Sequence, residues 1–119
     1  METSTAPPII GDTIGLQMVR VLALYPNSPG SRFDMDYYLT KHIPLAEETL
    51  RSFGVGRITV DQGLNGPAGT APYAAIAHMT FPSAEAFQNA LAQAGPALLA
   101  DIPNYTDVTL QLQVSEVVR

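Results

Sequence analysis

The stretch LQMVRVLALYPNSPGSRFDMDYYLTKHIPL, residues 16–45, sets the architecture of the chain. In its first ten residues Val19, Val21, Ala23 and Tyr25 alternate with Leu16, Met18, Leu22 and Leu24, so an extended strand is apolar on both faces apart from Gln17 and Arg20. A loop rich in Pro, Gly and Ser follows. Asp34 then has the chemistry of a helix N-cap, with Asp36 in the first turn, where a negative charge meets the positive end of the helix dipole. Met35, Leu39, Ile43, Ala46, Leu50 and Phe53 recur at three- and four-residue spacings, which predicts a helix over about 35–53 with that stripe facing a core.

Working outward, Gly54 is the predicted helix stop and residues 57–63 read as a second strand. Residues 63–72 hold three Gly and two Pro and read as a loop. A third strand over 73–81 sets Tyr73, Ala75, Ala77, Met79 and Phe81 against Ala74, Ile76, His78 and Thr80. Ser83 caps a second helix to about 94, with Phe87, Ala90, Leu91 and Ala94 inward, until Gly95-Pro96 interrupts it; residues 97–102 form at most a further short turn. In the last strand, 108–117, Val108, Leu110, Leu112 and Val114 alternate with Thr109, Gln111, Gln113 and Ser115.

The order β-α-β-β-α-β is an α+β, ferredoxin-like motif, a four-stranded antiparallel sheet carrying both helices on one face. The other face is left bare, and two strands that are apolar on both sides would expose more contiguous apolar surface than soluble monomers tolerate. A second copy packed by twofold symmetry would cover it, and this predicts a homodimer enclosing a small-molecule cavity between the sheets, with polar groups from Thr109, Gln111 and Gln113. Cover by a different protein is the alternative.

A chain of 119 residues suits one domain, taken here as 14–119 behind a loose tail, 1–13. There is no cysteine, hence no disulfide, thiolate metal site or thiol nucleophile. Six basic residues, scattered, against eleven acidic ones give a net charge of −5, which makes nucleic acid a poor partner. No apolar run approaches the ~20 residues of a membrane span. The first residues lack the basic and apolar regions of an export signal, so a cytoplasmic location is expected.

Tyr38-Leu-Thr-Lys-His42-Ile-Pro44-Leu45 resembles the Tyr-x-x-x-His-x-Pro-Leu hallmark of the EthD family, named for a component of bacterial ether degradation. PYAAIAHMTF, residues 72–81, and ADIPNYTD, residues 100–107, look like two further segments of that family, and together the matches span roughly 16–119. The resemblance implies a ferredoxin-like subunit that pairs as a dimeric α/β barrel. It also implies a cofactor-free activity of the kinds found among relatives (oxygenation, dehydration, cyclisation, isomerisation) on an aromatic, quinonoid or polyketide-like compound. The alternative is a non-catalytic accessory or ligand-binding protein serving a partner oxygenase in the degradation of ethers or related xenobiotics.

His42 is the leading chemical candidate, a general acid or base at the edge of the apolar stripe with Tyr38 one turn earlier as its hydrogen-bonding partner. A histidine there is also compatible with a purely structural bond to a neighbouring strand. Pro44 lacks an N–H and clashes with the carbonyl of Thr40, so it should kink or restart the helix beside His42. Tyr25, His78, Asp101, Tyr105 and Gln111 are candidate substrate contacts. For each a plain role exists: core aromatic for Tyr25, structural imidazole for His78, and a Pro103-Asn104 turn with Tyr105 at a dimer rim. Arg32 is expected to pair with Asp34 or Asp36 on the surface. Two histidines without a third ligand do not make a metal or haem site, and no triad order, phosphate loop or dinucleotide fingerprint is present.

Overall fold

The structure, a computed structural model, describes residues 17–119; the tail expected over 1–13 lies outside the described residues. Strand β1 is Val19–Pro26. A continuous helical region, α1, follows in four pieces: an α turn Met35–Tyr37, a π segment Tyr38–His42, an α segment Ile43–Leu50 and a 3-10 turn Arg51–Phe53. Strands β2, Thr59–Gln62, and β3, Tyr73–Phe81, precede helix α2, Ala84–Asp101, a 3-10 turn Ile102–Asn104 and strand β4, Gln111–Glu116. All pairings are antiparallel, in the sheet order β2-β3-β1-β4. The fold is the α+β, ferredoxin-like arrangement expected from the element order.

Both predicted caps form. Asp34 accepts a hydrogen bond from the backbone N–H of Tyr37 and Ser83 from that of Ala86. Gly54 ends α1 with φ of 85°, a left-handed conformation in which its missing Cβ is needed, since one would approach Pro82 to 2.8 Å.

Three local expectations are corrected. Helix α2 does not stop at Gly95-Pro96 but continues to Asp101. Proline inside a helix costs about 3 kcal/mol, and here Ala90, Ala94 and Gly95 are buried, so packing of the helix on the sheet offsets the lost bond. Leu39 was expected inward and is 48% exposed, while Tyr38 and His42 are buried. The inward row is Tyr38, His42, Ala46 and Leu50, a constant step of four that would drift by ~40° per step on a pure α-helix; the wider π turn at Tyr38–His42 takes up the drift of the first step and brings both side chains inward. Arg32 does not rest on Asp34 or Asp36: its guanidinium donates to the Pro103 carbonyl at 3.0 Å.

Val19, Val21, Ala23 and Tyr25 on β1, with Ala75, Ala77 and Phe81 on β3, are buried beneath the helices. On the bare face the register places Leu22 between His78 and Gln113, and Leu24 between Ile76 and Gln111. That face is thus narrower in its apolar part than the alternation of β1 and β3 suggests. Leu22, Leu24 and Ile76 form a central strip, because β4 contributes Gln111, Gln113 and Ser115 there and β2 contributes Thr59 and Asp61.

Candidate functional site

The segment before α1 and the segment after α2 are zipped together. Phe33 bridges Thr106, Asp34 donates its N–H to the Tyr105 carbonyl at 2.7 Å, and the Thr106 hydroxyl donates to the Arg32 carbonyl. The backbone N–H of Arg32 in turn donates to Asp107. These bonds carry Tyr105 inward, between the end of β1 and the first turns of α1, rather than to a rim: it is fully buried.

Tyr25, Phe33, Tyr38 and Tyr105 then form one aromatic cluster, with ring centroids 5.1 Å apart for Tyr25 and Phe33 and 4.9 Å apart for Tyr38 and Tyr105. Edge-to-face and tilted contacts of this kind suit the ring quadrupole. The π segment, in which the N–H of Ile43 donates to the Tyr38 carbonyl, aligns the Tyr38 ring with the His42 imidazole, 5.4 Å apart and 14° from parallel. Tyr38 was expected to hydrogen-bond His42; it stacks on it instead.

The hydrogen-bonding partners of His42 come from elsewhere. Its Nδ1 lies 2.9 Å from Asp101 Oδ2, and its Nε2 lies 3.4 Å from the Tyr105 hydroxyl, which is itself 2.7 Å from the Tyr25 hydroxyl. The other oxygen of Asp101 accepts from the Tyr37 hydroxyl at 2.7 Å and from the Asn104 amide at 2.9 Å. Burial alone would raise the pKa of the Asp101 carboxyl, but the hydrogen bonds from Asn104, His42 and Tyr37 outweigh it and hold the group below the ordinary carboxylate value. Asp101 is therefore an anion. Having no hydrogen to give, it requires Nδ1 of neutral His42 to carry the proton and leaves Nε2 with its lone pair. Burial pushes the phenols of Tyr25, Tyr38 and Tyr105 up, so all three stay protonated and able to donate.

A cavity of about 90 Å3 adjoins this chain of groups, between the helices and the sheet. Small side chains make the space: Ala23, Ala46, Ala90 and Gly95 all line it. Tyr25, Tyr38 and His42 supply its hydrogen-bonding side chains, the remainder being apolar. Leu91, Leu99 and Leu112 line it as well and are 42%, 50% and 44% exposed, so it opens to solvent between α2 and β4. This cavity lies within the chain, on the helix side of the sheet, a place the alternation of the strands does not indicate.

Tyr25, Tyr38, His42, Asp101 and Tyr105 come together on this side. His78 and Gln111 lie on the opposite face of the sheet, where His78 Nε2 is 2.7 Å from Asp61 Oδ2 and Gln111 receives only a long contact, 3.5 Å, from the Tyr73 hydroxyl. One contributor, Tyr37, escaped the sequence reading, and Asn104, expected in a turn, bonds Asp101 through its side chain. Adjacent tyrosines on a helix point ~100° apart, so Tyr37 had to face something beside the core. What it faces became visible only once α2 ran through to Asp101. Among the described residues no three His, Cys, Asp or Glu side chains converge as a metal site requires, and no helix is long and apolar enough to cross a membrane.

Comparisons agree with the fold and the motif. The sequence matches the EthD domain over residues 31–109. An EthD-like protein from Ralstonia eutropha JMP134 is 36% identical, with a TM-score of 0.80 over 87% of this chain and 94% of that one. An ethyl tert-butyl ether (EthD) family protein from Bacillus halodurans C-125 is 22% identical, with a TM-score of 0.63 over 85% of this chain and 99% of that one. SnoaB, a cofactor-independent oxygenase from Streptomyces nogalater, shares the fold at 15% identity and a TM-score of 0.52, covering 87% and 95% of the two chains. No curated protein matches the sequence.

Proposed function

The chain belongs to the EthD family, and from that premise we propose that it binds a small apolar or aromatic molecule in the cavity between helices and sheet, with His42 as general acid and base. The observation that carries this reading is the pairing of a buried imidazole, backed by an anionic carboxylate 2.9 Å from Nδ1, with an otherwise apolar cavity that the same imidazole lines. Nε2 takes a proton from an acidic O–H or C–H of the ligand. The imidazolium so formed is stabilised by Asp101, and the proton returns to a different ligand atom or to a leaving group. The neutral hydroxyls of Tyr25 and Tyr38 are donors for the oxygen anion that remains.

Enolisable ketones and phenols meet these demands. The reaction classes that begin so are cofactor-free oxygenation with dioxygen, dehydration, cyclisation and isomerisation, and SnoaB, of the same fold, is a cofactor-independent oxygenase. The enclosed space, about 90 Å3, is smaller than the ~150 Å3 cavity known to hold benzene, so even a single-ring ligand extends toward the opening between Leu99 and Leu112. A homodimer through the bare sheet face is part of this reading, supported by the central strip of Leu22, Leu24 and Ile76 on that face. Sedimentation showing a folded monomer at micromolar concentration removes it.

A second reading, a non-catalytic carrier or accessory protein for a partner oxygenase, is favoured by one contact: the Tyr105 hydroxyl already lies near Nε2, so the imidazole is partnered without a ligand. Native mass spectrometry of freshly purified protein for a retained ligand, followed by turnover of that ligand by wild type and His42→Ala, separates the two. An enzyme loses turnover in the variant while ligand affinity holds. A carrier shows no turnover in either, and that result ends the catalytic reading.

A further inference from the structure

Asp101 is not free to choose how it meets His42. Its Oδ1 is occupied twice, by the Tyr37 hydroxyl at 2.7 Å and the Asn104 amide at 2.9 Å, so only Oδ2 is presented to Nδ1. Tyr37 has a second contact. Its ring stacks on that of Tyr105, 6.2 Å away and 21° from parallel, and the Tyr105 hydroxyl is the group nearest Nε2. One side chain therefore braces the partners of both imidazole nitrogens.

We propose that Tyr37 is a positioning residue, which orients the Asp101 carboxylate so that His42 is held as the Nδ1–H tautomer with Nε2 available at the cavity. The catalytic consequence rests on the reading of His42 as the base; the tautomer itself does not. Tyr37 lies half-buried at the junction of α1 with the end of α2 and does not line the cavity, so its part is played through Asp101 and Tyr105. A carboxylate with one oxygen pinned cannot rotate to offer both oxygens to solvent, and that leaves the imidazole one hydrogen-bonding arrangement.

The test is nitrogen NMR of 15N-labelled imidazole in the whole chain, comparing wild type, Tyr37→Phe and Asn104→Ala. Tyr37→Phe keeps the ring stack and deletes only the donor to Asp101. In wild type at neutral pH, Nδ1 should show a pyrrole-type shift and Nε2 a pyridine-type shift. In Tyr37→Phe the two His42 signals should move toward one another as tautomers mix, and the carboxyl-carbon titration of Asp101 should move up toward the ordinary range. Asn104→Ala should move both in the same direction and less. Unchanged His42 signals in a folded Tyr37→Phe protein overturn the proposal. Tyr37→Phe signals that mix as expected, in a protein whose His42→Ala variant retains full turnover, leave the positioning role intact and remove the catalytic reading alone.

Discussion

Two histidine–aspartate pairs sit on opposite faces of one sheet, and they differ in everything except chemistry. On the bare face, His78 and Asp61 are 2.7 Å apart with side chains 33% and 66% exposed. On the helix side, His42 and Asp101 are farther apart, 2.9 Å, but 9% and 15% exposed, and each is engaged by further groups. The shorter pair is the weaker device. Water and salt screen a pair on an open sheet, so its geometry contributes little, whereas a carboxylate that takes three donors beside a buried imidazole fixes the proton position of that ring.

The sharpest way to break the comparison is to delete each aspartate. Asp101→Ala should strip a partner from His42, Tyr37 and Asn104 at once and cost about 1–3 kcal/mol in urea unfolding, chiefly for leaving the buried imidazole donor unmatched. A loss no larger than that of Asp61→Ala would show the two pairs to be equivalent. Next in size is Tyr25→Phe, which leaves the buried Tyr105 hydroxyl with only its loose contact to His42; a loss of about 1–2 kcal/mol is expected.

A pH series sharpens the comparison further. The folded pKa of Asp101 lies below its ordinary value of 3.8, so the folded state binds a proton there less readily than the unfolded chain. Its contribution is complete above that ordinary value and is lost as pH falls through the lower folded value. Acid unfolding followed by circular dichroism should therefore begin at higher pH in Tyr37→Phe and lose part of its pH dependence in Asp101→Asn. The smallest effect belongs to Asp61→Asn, at most about 0.5 kcal/mol and vanishing in high salt; a salt-independent loss above 2 kcal/mol would mean that the bare face is buried, as in the proposed dimer.

Most of the architecture was legible in the residue pattern. Alternation along β1 and β3, capping by Asp34 and Ser83, and the stop at Gly54 are local signals, each decided by backbone sterics or one hydrogen bond. Where local and tertiary demands conflicted, the pattern misled. Gly95-Pro96 breaks an isolated helix, but the burial of Ala90, Ala94 and Gly95 carries α2 through it. The stripe through Leu39 obeys an ideal α-helix and not one with a π turn at Tyr38–His42. The site was legible in part for the same reason. His42, Tyr38 and Tyr25 belong to one short stretch, whereas the Asp101 and Tyr105 contacts join residues about sixty positions apart.

By itself the amino-acid order determined the strand and helix sequence, the two faces of each strand, and the presence of an imidazole beside a proline-restarted helix, because all of these follow from spacing along the chain. Tertiary structure alone decided that Asp101 stands behind His42, that Tyr105 rather than Tyr38 approaches Nε2, and that the cavity opens on the helix side. Those contacts depend on how far α2 runs and on the zipper joining Phe33 to Thr106, and both are settled by burial and hydrogen bonding between segments distant in sequence.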